Sequence, residues 1–179
     1  MKNNLFLWQL AGFAFTAVLG TLLHFLYQWT EIFALAPFSA VNESTFEHMK
    51  ILFFPMLLFA AIQSRFLKPE YPNFWCVKGV GIVLGTLLIP VLFYTYNGAF
   101  GKSPDWFNIL TFFLAAGAAY YVETRLFMQQ HQNSMSQIIC ALVVVALCGV
   151  ALVFVWFTFA PPALPLFQDP LTQLYGILK

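Results

Sequence analysis

The sequence predicts an all-α integral membrane protein: a bundle of five transmembrane helices with a non-helical, proline-rich C-terminal tail packed on the outer face. Three observations carry this. Hydrophobic residues make up 61% of the 179 positions and charged residues 8%, whereas soluble proteins average about 45–50% apolar and about 25% charged. Eight basic and seven acidic side chains cannot build a water-facing surface on a chain of this length, and the mean hydropathy of +0.79 agrees. Five apolar runs approach the ~20 residues that a spanning helix needs. After them comes Ala160-Pro161-Pro162-Ala163-Leu164-Pro165, which cannot be regular helix.

The first helix is expected over 5–29. Lys2 ahead of an apolar run resembles the start of a signal peptide, but the run continues to about Tyr27, beyond the ~7–15 residues of a signal core. Gly12, Thr16 and Gly20 give this helix a face of small residues, which lets helix backbones approach in lipid. The second helix is expected over 43–66 and the third over 74–96, the latter with Gly81 and Gly85 on a small face. Pro55 and Pro90 should kink these two. The fourth is expected over 106–128, with Ala115 and Ala119 on its small face, and the fifth over 136–159. Connections carry turn residues: Pro69 and Pro72, Asn97-Gly98 with Pro104, and the polar stretch 129–137. No internal repeat is visible, so 1–179 reads as one transmembrane domain with its tail over 160–179.

Orientation follows from Lys and Arg near helix ends. A cytoplasmic N-terminus puts Lys2, Arg65, Lys68, Lys78 and Arg125 inside, and Lys50, Lys102 and Lys179 outside. That bias favours an N-terminus in the cytoplasm and a C-terminus outside, in a multi-pass plasma-membrane protein.

Several functions are disfavoured. A net charge of +1 without a basic cluster gives no phosphate-neutralising surface, so no nucleic-acid partner is expected. There is no His-Glu-x-x-His helix, no Gly-x-Ser-x-Gly elbow and no Walker glycine loop. Cys76, Cys140 and Cys148 are odd in number, fit no zinc or redox spacing, and read as packing residues. The 22 phenylalanines serve lipid and helix packing.

The informative segment is Asn42-Glu43-Ser44-Thr45-Phe46-Glu47-His48-Met49-Lys50. The uninterrupted apolar run after it, 51–62, is twelve residues, or ~18 Å of helix against a hydrocarbon layer of ~30 Å. The missing length must come from the charged turns, so Glu47, His48 and Lys50 are expected at membrane depth, where ionisable groups mark function or a buried pair. Glu43, Glu47 and Lys50 share a helical face at i, i+4 and i+7, and His48 points about 100° away from Glu47. Two plainer readings compete: a Ser44/Glu47 capping box and a Glu47–Lys50 ion pair. His24 closes the first helix at the same level, on the face of Thr16 and Gly20. Asp169, the tail's one acid, either joins this group or only starts an Asp-Pro turn. At the opposite end, Glu123 is expected to point inward as an inner-leaflet ion pair or snorkelling charge with Arg125, and His131 reads as solvated.

The segment 16–27 with Gly20 and His24, the run Asn42-Glu43-Ser44 with Glu47, His48 and Lys50, and the tail Phe167-Gln168-Asp169-Pro170 with Tyr175-Gly176-Ile177 resemble an uncharacterised family of small bacterial polytopic membrane proteins. The resemblance spans nearly the whole chain. It implies a prokaryotic plasma membrane and no particular activity.

The expected site is an outward-facing pocket. Glu43, Glu47 and His48 are the candidate catalytic groups. His24, Glu43, Glu47 and His48 are the candidate ligands for a divalent metal such as zinc, with Asn42, Lys50 and Asp169 completing the pocket. Such a site suits a metal-assisted or acid–base enzyme acting on membrane lipid or another amphiphile. A small-molecule or ion transporter, or the substrate-capturing subunit of one, is the main alternative, and would need a path from this cluster to Glu123. A structural or partner-binding membrane protein is the third, and would leave every polar group paired with no cavity. Assembly as a homo-oligomer stays open.

Overall fold

The apolar runs become five long helices in the computed structural model, which describes residues 2–129 and 136–177. They are α1 (Lys2–Thr30), α2 (Thr45–Leu67), α3 (Phe74–Phe100), α4 (Asp105–Gln129) and α5 (Gln137–Phe159). Among the described residues there is no strand, only one antiparallel bridge between Gln168 and Tyr175. The expectations attached to His131 and Lys179, and the side chain of Lys2, lie outside the described residues.

Four helices, α1, α2, α3 and α5, are long and apolar enough to cross a membrane. The fifth expected span, α4, is as long but carries Asp105, Asn108, Glu123 and Arg125. Its composition follows from its position. It packs against α1 and α3 and turns Thr111 and Glu123 to the interior along with Ala115, Ala116 and Ala119. Its outer side still exposes Ile109, Leu114 and Tyr121, so the polar groups are confined largely to the packed face and the helix ends.

The core forms where α2 meets α3 and α4. Leu52, Phe53, Met56 and Ala60 of α2 pack with Ile82 and Ile89 of α3 and Ala115, Ala119 and Tyr120 of α4. Close approach rests on small residues. A methyl group at Gly20 would strike the Phe112 ring and the Ile51 carbonyl oxygen, and one at Gly81 would strike the Glu123 side chain. α2 and α3 continue through Pro55 and Pro90.

Three local expectations need correction. Asn97-Gly98 does not break α3, because Asn97 Nδ2 donates to the Phe93 carbonyl one turn back and Oδ1 accepts from Ser103 N–H. The helix stops instead at Gly101, whose φ of 84° lies in the left-handed region open to glycine. Second, α2 starts at Thr45 and not at Glu43, because Ser44 is extended and its N–H is held by Asn42 Oδ1 at 2.8 Å. Glu43 therefore lies outside the helical face assigned to it. Third, Cys76 and Cys140 are not merely packing residues. They form a disulfide between the first turns of α3 and α5, with their Cα atoms 4.7 Å apart. Sixty-four residues separate them in sequence, so no local spacing could show the pairing. Cys148 is free and exposed.

The chain beyond α5 makes a 3₁₀ turn at Pro165–Phe167 and folds back against α2. Phe167 is buried, with ring centroids 4.5 Å from Phe46 and 5.3 Å from Phe157. α5 itself leaves Leu142, Val145, Leu152 and Trp156 exposed along its outer side.

Candidate functional site

The α1–α2 connection builds the site. Ala40 N–H donates to the Leu23 carbonyl, which lays the loop beside His24. Asn42 then turns the chain into α2 and donates its own amide to the Gly176 carbonyl of the tail at 2.8 Å. Glu43, between these anchors, is held by its backbone: its N–H donates to Asp169 Oδ2 at 3.1 Å.

Three side chains converge as a result. His24 Nε2 lies 3.6 Å from Glu43 Oε1, and His48 Nε2 lies 3.8 Å from Glu43 Oε2. The imidazole centroids are 5.3 Å apart, and one ligand atom from each residue falls within 4.8 Å of the others. Ligand atoms ~2.0–2.1 Å from a tetrahedral zinc lie roughly 3.4 Å from one another, so a small closing movement would bring these three onto one ion. His48 Nδ1 sits 2.9 Å from the Ser44 carbonyl oxygen. All three residues are partly exposed.

The structure does not bring Glu47 to this group. Its carboxylate is buried 2.6 Å from Lys50 Nζ and accepts from Val41 N–H. Lys50 also donates to the Ala36 carbonyl and to Thr158 Oγ1, tying the loop and α5 to α2. Of the two plainer readings, the ion pair is the one formed. Ser44 Oγ makes no cap and is buried without a partner. Asp169 is buried too. Its Oδ1 accepts from Leu171 and Thr172 N–H, so it shapes the tail turn and positions Glu43 through the backbone.

The His24–Glu43–His48 group lines a cavity of about 670 Å³. Asn97, Lys102, Ser103, Asn108 and Thr111 also line it, and Ile51, Ile89, Phe93 and Phe112 supply apolar wall. Two buried polar atoms on residues lining this cavity, His24 Nδ1 and Thr111 Oγ1, have no protein partner. The sequence reading gives Asn97 only as a turn residue and Lys102 only as an outer charge, and it assigns no role to Ser103, Asn108 or Thr111. The i, i+3 pair Asn108 and Thr111 on an otherwise apolar stretch of α4 is the signal that could have found them.

A second buried polar group lies at the other end. Lys78 Nζ is 2.6 Å from Glu123 Oε2, both fully buried, and Gln9 Nε2 donates to the same oxygen while Gln63 donates to Gln9. Glu123 points inward, but its partner is Lys78 of α3. Arg125 is exposed and, among the described residues, donates to the Tyr121 hydroxyl.

Glu123 does not line the cavity. Between them Leu52, Ala115 and Ala119 close against Gly85, and the Thr16 and Tyr120 hydroxyls bond each other at 2.9 Å.

No curated protein and no solved structure matches this chain. A family model does, over residues 1–177, and the chain belongs to that family, a family of unknown function (DUF6512).

Proposed function

We propose that the chain is a five-span plasma-membrane protein, as its resemblance to small bacterial membrane proteins implies, in which His24, Glu43 and His48 hold a divalent metal such as zinc. In this reading it is an enzyme acting on a lipid or other amphiphile that enters from the bilayer. The observation that carries this is the gathering of two imidazoles and a carboxylate, with one ligand atom of each within 4.8 Å of the others, at the wall of a cavity. A metal with an open position would polarise the bound substrate or activate a water. Glu43, the most exposed of the three, is free to exchange between metal ligand and proton acceptor.

Transport would need continuity with Glu123, and the closed packing around Gly85, Ala119 and Leu52 lies in the way. A purely structural role fits poorly with a cavity on which unpaired His24 Nδ1 and Thr111 Oγ1 border. The direct test is metal content after purification in detergent. Near-stoichiometric zinc that is lost in both His24→Ala and His48→Ala supports the reading. Zinc unchanged in both variants, or a parent protein that takes up no divalent ion, overturns it.

The Lys/Arg bias supports a cytoplasmic N-terminus, with the cavity and the C-terminal tail on the outer face. One observation favours the reverse: the Cys76–Cys140 disulfide lies at the end assigned to the cytoplasm, and disulfides persist in oxidising compartments. Both cysteines are buried, which shields them from soluble reductants. A reporter fused after the tail decides; activity restricted to the cytoplasm reverses the orientation.

A further inference from the structure

We infer that the cavity takes an amphiphile with a phosphate-type anionic head, bound between the His24–Glu43–His48 wall and Lys102, with its hydrocarbon chain leaving between α1 and α4. The inference rests on the metal reading above and adds the class of ligand.

Charge points to the head group. Among the described side chains that line the cavity, Glu43 is the one carboxylate and Lys102 the one lysine or arginine. Lys102 is exposed, and among the described residues no carboxylate pairs with it. Asp169 lies close, but its oxygens are engaged by three backbone N–H groups. A divalent ion on the triad therefore leaves the cavity with an excess of positive charge, which an anion would balance.

Hydrogen bonding narrows the anion. The Thr111 hydroxyl is buried at 2% exposure and unpaired. Asn108 Oδ1 is taken by Ser103 Oγ at 2.8 Å, which leaves the Asn108 amide N–H₂ as a donor. A head that meets a metal position, an ammonium, a hydroxyl and an amide needs several acceptor oxygens. A phosphate monoester presents three terminal oxygens spread around the phosphorus, whereas a carboxylate presents two in one plane.

The chain's route follows from exposure. Phe25 of α1 and Ile109 and Phe113 of α4 line the cavity and are 38%, 61% and 36% exposed on the flank of the bundle. The cavity therefore breaks the surface between α1 and α4, beside exposed Leu22, Leu110 and Leu114. A hydrocarbon chain placed there would lie among groups that lipid already covers.

The test is competition in detergent micelles against a fluorescent single-chain lysophosphatidic acid, with zinc content measured on every sample. Unlabelled lysophosphatidic acid should displace the probe, and monoacylglycerol of equal chain length should be at least tenfold weaker. Inorganic phosphate should be weaker still, because it lacks the chain. Lys102→Ala and Thr111→Val should each weaken binding about tenfold with zinc content unchanged, and Ile109→Asp should weaken the lipid but not inorganic phosphate. Equal competition by monoacylglycerol, or no effect of Lys102→Ala, overturns the anionic head. Inorganic phosphate matching the lipid overturns the chain route and leaves a free-phosphate site. Zinc bound without lysophosphatidic acid binding sinks this inference alone; absence of zinc removes the metal reading beneath it.

Discussion

The Nδ1–H of His48 donates to the carbonyl oxygen of Ser44, one helical turn back at 2.9 Å. A carbonyl oxygen only accepts, so a proton sits on Nδ1, and the other ring nitrogen, Nε2, is turned toward Glu43. The ring is thus set by the helix start itself. Ser44 is the cap residue, and its carbonyl also receives the N–H groups of Glu47 and His48.

This relationship predicts an asymmetry between the imidazoles. His48 would meet a metal already oriented, whereas His24 Nδ1 has no partner. His48→Ala should lower zinc affinity by more than His24→Ala, measured by chelator competition. Both should change stability by no more than about 1 kcal/mol, since neither ring is fully buried. Equal losses would remove the role given to the Ser44 carbonyl.

Asp169→Asn tests the tail. Asparagine keeps one acceptor oxygen and replaces the other with an N–H₂ that cannot accept from Glu43 N–H. We expect a stability loss of about 1–3 kcal/mol for the orphaned backbone donor. Zinc affinity should fall about 10–100-fold, as for outer partners of metal ligands. A lower melting temperature with unchanged zinc affinity would leave Asp169 serving only its own turn.

What was legible in the sequence depended on distance along the chain. Apolar runs and turn residues place helices because both act locally, and the run 51–62 is too short to hide the charges before it. His24 lies near Glu43 and His48 because one short connection returns the chain to the same level. Pairings between distant segments left no local trace. Lys78 and Glu123 are 45 residues apart, and Cys76 and Cys140 are 64 apart. Spacing alone puts Glu43 on the helix, but the Asn42 side chain holds Ser44 N–H, Ser44 is extended, and the helix starts after it.

Lys78 and Glu123 should behave as a buried pair and nothing more. Glu123→Gln strands an ammonium in the interior and should cost about 3–5 kcal/mol. Adding Lys78→Met should recover most of that. Neither variant should change zinc content, because the pair does not line the cavity. A double variant as unstable as the single one would show that the site needs its charges for more than mutual compensation.

The disulfide should act on α5. That helix packs chiefly on α3 and exposes much of its outer side, so the bond is its covalent tie to the bundle. Replacing Cys76 and Cys140 by Ser should cost about 2–4 kcal/mol, read as thermal stability in detergent. Alkylation followed by mass spectrometry should find only Cys148 reactive in the unreduced, denatured parent. Three alkylated thiols would show that the bond does not form.

Glu43 and Glu47 separate site from scaffold most sharply. They are four residues apart, yet one carboxylate faces a cavity and two imidazoles while the other is sealed against Lys50 and Val41 N–H. Glu43→Gln keeps the side-chain shape, and the bond to Asp169 comes from the backbone, so stability should move by less than about 1 kcal/mol. It replaces the anionic group proposed as a ligand with a neutral amide, so zinc affinity should fall at least tenfold. Glu47→Gln should do the reverse. It leaves the Lys50 ammonium buried without a counter-charge and should cost about 3–5 kcal/mol. Its zinc affinity, measured well below the melting temperature, should stay within about threefold of the parent. Melting curves and chelator competition on the two variants check both halves together. A Glu43→Gln protein that binds zinc as the parent does would remove Glu43 from the site. A Glu47→Gln protein that folds normally but loses zinc would move the site to the buried pair.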